Sequence, residues 1–435
     1  MIRFSTNTIF DQGVFNMQRG QSTLVELQDQ ISTGRRVRTP ADDPVAAARS
    51  LEVEQSQAIS EQYIRNGDSA QTALGLSENA LISVTALIQD VRTLTVNAGD
   101  GALSEKELKS LAVELRGRYQ DLLGLANSTD GNGQYLFSGY QGATRPFTET
   151  APGIVNYAGD QGARLVQISA SRQIAVSDAG SDIFQAIRNG NGIFVTEAAT
   201  TNTGTGVVSP GTVLNQTAWD AAGNPRDFTV VFHVDSTTLP PTTTYDVVDN
   251  VSGLSLTTGA APGAGPYLRT YTEGAAISLS RQQPPDTNPV NFDFGAELAI
   301  EGAPASGDSF TVRASTNQDL FETLYDLITT LETTGATAVD KAELHNGINT
   351  ALSNLDNALD NLLRVRAAIG ARLREVDETQ SSQADLVVHH RSTLSDLRDL
   401  DYAKAISDLT RQQLTYEAAQ KSFVRVQGLS LFNYL

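Results

Sequence analysis

At 435 residues the chain is too long for one ordinary core, so two or three domains are expected. Its formal net charge of -19 argues against general binding to nucleic acid or an anionic membrane, because like charges repel. The absence of Cys excludes disulfide staples, thiolate nucleophiles and Cys-ligated metals, and an apolar fraction of 40% fits a protein with a large surface share.

The opening segment, Met1 to Phe10, lacks a basic stretch followed by an apolar one and does not read as a secretory signal. No apolar run is long enough to span a membrane. On these rules alone the expected compartment is the cytoplasm. Residues 1 to about 33 read as a helix: Phe10, Met17, Leu24 and Ile31 fall seven apart, with Leu27 on the same face. Gly34 suits the position just past that helix. Pro40 and Pro44 then forbid helical continuity, and Asp43 before Pro44 restarts it, with Asp as the N-cap and Pro at the first helical position.

A long helix is predicted from Val45 to about Asn97, with apolar positions that include Leu51, Leu74, Leu81, Val84, Leu87, Val91 and Leu94. Ser104 and Glu107 have capping-box spacing and open another helix, ending near Asn127. From Arg145 to Ala314 the chain turns rich in Thr, Gly, Val and Pro, with short alternating runs at 164–168, 228–233, 245–248 and 310–313. Such runs predict an inserted all-β domain, a sandwich or a barrel-like form, with a short helix around 183–188. Helix returns from Asp319 to about Thr333. A last, very long helix is expected from Val339 almost to Gly428. Within it Tyr402, Ile406, Leu409, Tyr416 and Phe423 step by fours and threes along one side. A single core helix of that length does not fit a compact globule, so the terminal arms are expected to lie together, with the β insert at the far end. The fold class is multidomain α + β: an elongated helical bundle or coiled coil built from both termini around the insert. Its expected segments are 1–38, 39–144, 145–315, 316–398 and 399–435.

No catalytic constellation emerges. His389 and His390 are adjacent on a helix and face different ways, whereas a metal pair wants spacing of four, and no Gly-rich phosphate loop joins a strand to a helix. Asp42 and Asp43 read as capping residues, with Arg35, Arg36 and Arg38 close enough to neutralise them. The reading is therefore of a building block without cofactor or metal. A two-helix pair alone has too little core to be stable, so the arms call for more helices, which identical copies could supply. A heterologous interface of that kind closes a ring or grows a tube.

The segment Ile31 to Val37, leading into Pro40-Ala41-Asp42-Asp43-Pro44, resembles the N-terminal signature of the bacterial flagellin family. Gly34, Arg35 and Arg38 belong to that turn, and a proline on either side of the paired acids is the form found in the hook-associated junction members. Tyr135-Leu136-Phe137-Ser138-Gly139, followed by Pro146-Phe147, is similar to the junction members where their helical part passes into their β domain. The apolar end Leu429 to Leu435 also matches the family. The resemblance covers about the first 150 and last 110 residues. It implies a structural adaptor that connects hook and filament in a ring of about eleven copies. Hook-associated protein 1 is then the partner on the hook side and flagellin on the filament side. It further implies export through the flagellar type III apparatus without a cleaved signal, and hence an extracellular location. A cytoplasmic export chaperone is implied on the C-terminal helix. The competing readings are a minor flagellin, or a carbohydrate-active or binding module in the insert.

Overall fold

The computed structural model describes residues 6–263 and 265–428. The family-like apolar end at 429–435 lies outside the described residues. Among them are eight helices: α1 (Thr6–Thr33), α2 (Pro44–Ala98), α3 (Glu105–Ala126), α4 (Gly180–Phe184), α5 (Gln216–Trp219), α6 (Leu320–Thr333), α7 (Ala338–Arg398) and α8 (Tyr402–Gly428). The chain divides into two compact units, one of residues 1–68, 167–172 and 377–435, the other of 69–166 and 173–376.

In the first unit α1 pairs with α8, the start of α2 runs beside the end of α7, and Val37, Ala46 and Val387 are buried. Ion pairs Glu61–Arg391 and Glu54–Arg398 fasten that second pair. Gln380 donates to the Ile64 carbonyl at 3.1 Å and to Asp68 at 2.8 Å, where Gly67 leaves room for it. The single long helix expected from Val339 to Gly428 is instead two helices, broken at 399–401. The break has a cause that no Gly or Pro announces. Leu400 N–H donates to the Gly34 carbonyl at 2.9 Å, and Arg36 N–H to the Arg398 carbonyl at 2.7 Å, so backbone groups leave the helix for the α1–α2 linker. Asp401 then caps α8 by accepting from Lys404 N–H at 3.1 Å.

The second unit joins a helical part to the β insert. Its helical core is built from Leu74, Leu81, Val84, Ile88 and Val91 of α2, Leu115, Tyr119 and Leu122 of α3, Phe321, Leu324 and Ile328 of α6, and Leu355, Leu362 and Ile369 of α7, all buried. The predicted capping box opens α3: Ser104 N–H donates to Glu107 at 2.8 Å while the Ser104 hydroxyl accepts from Glu107 N–H at 3.4 Å. Asp319 caps α6 through Glu322 N–H at 2.6 Å.

The insert is a sandwich of two antiparallel sheets. One orders its strands 254–255, 242–249, 227–235, 309–314 and 194–198, with 269–270 also on 242–249. The other orders 276–280, 293–301 and 207–208, with 212–213 also on 293–301. Both inner faces share one core that includes Phe194, Phe228, Phe232, Phe310, Leu279 and Leu298, with Trp219 of α5 against the rings of Phe194 and Phe228. The short helix expected at 183–188 sits at Gly180–Phe184, because Ile187 and Arg188 pair as a strand with 317–318.

Candidate assembly surface

The arms carry the surface the sequence singles out, and the structure fixes their register. Along α1 and its exit, Gly13, Gly20, Leu27 and Gly34 step by sevens. Along α8, Tyr402, Leu409, Tyr416 and Phe423 do the same in the opposite direction. A methyl added at Gly13 would lie 2.7 Å from the Phe423 ring, one at Gly20 3.2 Å from Tyr416, and one at Gly34 2.8 Å from the Tyr402 hydroxyl. Aromatic knobs from α8 therefore sit over glycine slots on α1, and the same register sets Leu27 opposite Leu409. Phe10 closes the far end, its ring 5.4 Å from that of Phe423.

Met17, Leu24, Leu27 and Ile31 are half-buried, as are Leu409, Tyr416 and Phe423. Phe10, Tyr402 and Ile406 are more exposed, Ile406 at 53%. The glycine slots went unrecognised in the sequence because they lack a hydrophobic signal. Their seven-residue spacing opposite aromatic positions is the pattern that could have revealed them. A second set of apolar side chains has no cover in the chain: Phe15 and Val25 on α1, Leu414 and Val424 on α8, all at least half exposed. No described α1 side chain is buried, and in α8 Ala405 alone is. The pair thus leaves apolar area on both helices for other surfaces.

The family-signature turn is where the arms meet the rest of the unit. Gly34 adopts φ +69, which a side chain resists, and its N–H closes α1 on the Gln30 carbonyl at 2.9 Å. Arg35 bridges Asp399 through the backbone, and Arg36 reaches the Leu397 carbonyl at 2.8 Å and Asp43 at 3.2 Å. Arg38 pairs with Asp29 at 2.9 Å. The two acids do different work. The Asp42 carboxylate accepts the N–H groups of Thr39 at 2.8 Å and Arg38 at 3.0 Å, and these backbone donors hold its carboxyl below the usual range. Asp43 caps α2 at Ala46 N–H, 3.0 Å away; that bond first, then the Arg36 guanidinium, lowers its carboxyl too. Pro44 is the first residue of α2. Pro40 lies in the turn that Asp42 closes on Thr39. Backbone amides, ahead of the three arginines, therefore satisfy Asp42.

The transition motif lies in the second unit and is a core element. Leu136 and Phe137 are buried, and the Phe137 and Phe184 rings meet edge-on at 5.6 Å. Phe147 continues the cluster to Phe184 at 5.3 Å and to Phe321 at 5.5 Å. Tyr135 N–H donates to Gly142 at 2.8 Å, and buried Ser138 turns its hydroxyl back to the Tyr135 carbonyl. Gly139, at φ +69, faces the Asp160 backbone so closely that a methyl there would collide with it.

Among the described residues no three His, Asp or Glu side chains converge as a metal cluster, and no helix is long and apolar enough to cross a membrane. His233 stacks on Tyr267 at 4.7 Å beside Ser306. His389 and His390 are neighbours on α7.

Comparison with known proteins places these features in context. Residues 4–142 match the bacterial flagellin N-terminal helical region and residues 352–435 the C-terminal helical region. The chain is 26% identical to flagellar hook-associated protein 3 of Salmonella typhimurium strain LT2 over 431 residues, 99% of each chain. It is similar to the crystal structure of flagellar hook associated protein-3 from Legionella pneumophila, with a TM-score of 0.70 and 30% identity over 80% of this chain and 98% of that one. Likeness to flagellin of Serratia marcescens, at 29% identity, is confined to 140 residues, 32% of this chain and 40% of that one.

Proposed function

Because the chain belongs to the bacterial flagellin family, in its hook-associated protein 3 branch, we propose that its arm pair is the surface through which it serves as the hook–filament junction adaptor. It is a structural component of the bacterial flagellum that joins other flagellar components. The observation that carries the junction role over a filament role is coverage: hook-associated protein 3 is matched from end to end, insert included, whereas flagellin is matched over one segment.

In this proposal identical copies pack side by side through the apolar area that α1 and α8 leave open, closing a ring of about eleven. The hook side of the ring meets hook-associated protein 1, and the filament side templates flagellin. The C-terminal helix first carries an export chaperone, and the chain leaves through the type III apparatus before the arms pair. Half-covered arms support this order, because marginal helices gain most of their stability from partners. The same half-cover is poorly suited to a chain that finishes folding alone.

The test is a strain lacking the gene, with its surface imaged and its medium assayed for flagellin. Hooks without filaments, with intact flagellin lost to the medium, is the expected result. Hooks without filaments and no flagellin anywhere would make this chain the filament subunit itself. Normal filaments would overturn the adaptor role.

A further inference from the structure

Helix α7 carries five asparagines, Asn346, Asn349, Asn354, Asn357 and Asn361, and the rest of its 61 residues contain none. Asn is a poor helix former, because its side chain competes for backbone groups. Five in so short a stretch weaken the helix locally, which calls for a compensating contact. The structure supplies one for each. Asn346 accepts from Val208 N–H at 2.8 Å and donates to the Gly206 carbonyl at 3.0 Å. Asn349 donates to the Val208 carbonyl at 3.3 Å. Asn354 accepts from Gly190 N–H at 2.9 Å and donates to the Gln318 side chain at 2.9 Å. Asn357 donates to the carbonyls of Arg188 at 2.8 Å and Gly190 at 2.7 Å. Asn361 donates to those of Asp182 at 3.0 Å and Ile183 at 2.9 Å.

One row of side-chain amides thus holds the backbone of residues 182–208, the stretch through which the chain enters the sandwich. Asn354 and Asn361 are buried, so these bonds are shielded from water. Backbone is recognised here whatever side chains the insert carries. About three turns further on, Arg372 adds the Ala175 carbonyl at 3.0 Å and a two-pronged pair with Asp178 at 2.8 Å.

We infer that α7 is a mounting rail for the β insert, and that the asparagine row fixes the insert's orientation on the helical part of the second unit. The insert then turns with α7 as one body and is not a flexibly tethered module. A load applied to the helices reaches the insert without loss at its base.

The chain has no Cys, so spin labels can be placed cleanly at Leu239→Cys, on an exposed hairpin tip, and Lys106→Cys, on the exposed face of α3. In the full chain the label-to-label distance distribution is expected to be narrow. In Asn354→Ala/Asn357→Ala/Asn361→Ala it is expected to broaden, with Gly190 N–H exchanging about tenfold faster or more. Alanine raises helix propensity, so the loss cannot come from a weaker α7. If the triple variant fails to fold, Asn357→Asp keeps the shape and turns a donor into an acceptor facing two carbonyls, and it is expected to broaden the same distribution. A distribution equally narrow in the folded variant overturns the proposal, whatever happens to amide exchange.

Discussion

The two units treat their apolar residues in opposite ways. In the first, the α1–α8 pair lays Phe423 and Tyr416 over glycine slots and buries none of α1's described side chains. In the second, fifteen residues close the sandwich core and a separate aromatic cluster closes the helical base. Charge follows the same division: the first unit has 14 Lys and Arg against 17 Asp and Glu, the second 17 against 33. Like-charged copies repel, so a nearly balanced surface can pack against its own kind, while an acidic one stays solvated and separate. A half-covered arm pair and a finished, acid-coated body are distinguishable here by burial and charge alone.

The sharpest test makes the same change in both. Phe184→Ala empties a position touched by Phe137, Phe147 and Phe321. It should destabilise the second unit by about 3–5 kcal/mol in urea denaturation. Phe423→Ala removes a ring that Phe10 and Gly13 of α1 partly cover. In the isolated chain it should cost about 1 kcal/mol or less, because little apolar area is buried there. It should still abolish recruitment to hooks in a motility assay. Equal losses would mean that the arms are as finished as the core.

The insert offers a second large effect. Arg269 and Asp286 form a two-pronged pair at 3.0 and 2.7 Å, their side chains 1% and 0% exposed. The arginine also donates to the carbonyls of Ser278 and Ser280. Asp286→Ala strands a buried cation and should cost about 3–5 kcal/mol, read as a lower urea midpoint. A smaller effect is expected at the turn below the arms. Gly34→Ala forces a side chain into φ +69 against Tyr402, costing about 1–2 kcal/mol, with proteolysis of α1 as the readout. Loss confined to α1 and α8 would keep the two units' stabilities separate.

Much of this organisation was legible in the sequence, for physical reasons. Asp43-Pro44 and Ser104 with Glu107 are local signals whose partners lie within a turn, and both caps form. The runs at 228–233 and 245–248 both form paired strands; the first keeps its alternation of buried and half-buried positions, whereas 245–248 is buried throughout. Three things were not legible. The break at 399–401 is made by hydrogen bonds to residues over 360 positions away, which no local pattern encodes. The glycine slots of α1 look like helix weakness until α8 is in place. The asparagines of α7 read as a polar helix face until the insert's backbone meets them. In each case a local propensity is overridden by a distant partner, and only for the glycines and asparagines did a helix-disfavouring residue leave a trace of it.

The smallest effect separates the units by sign. Burial first, then the neighbouring charges of Glu322 and Asp319, push the Asp326 carboxyl up to about 6. A carboxyl whose pKa is raised on folding favours the fold when protonated. The penalty is absent below its unfolded value near 3.8, grows as pH rises, and is complete above about 6. Asp326→Asn should therefore stabilise the second unit at pH 7 and leave it unchanged near pH 3.5. The side chain keeps more than a third of its surface in water, so the gain should stay below about 1 kcal/mol. Asp43 in the first unit runs the other way. Its carboxyl is lowered by the Ala46 N–H and Arg36, so its contribution is present at neutral pH and lost as pH falls below the ordinary aspartate range. Acidification from pH 6 should thus ease strain in the second unit before it loosens the turn beneath the arms. Amide exchange at Ala46 and around Asp326, followed over that range, should show the two regions responding in opposite directions; parallel responses would mean that their acids share one environment.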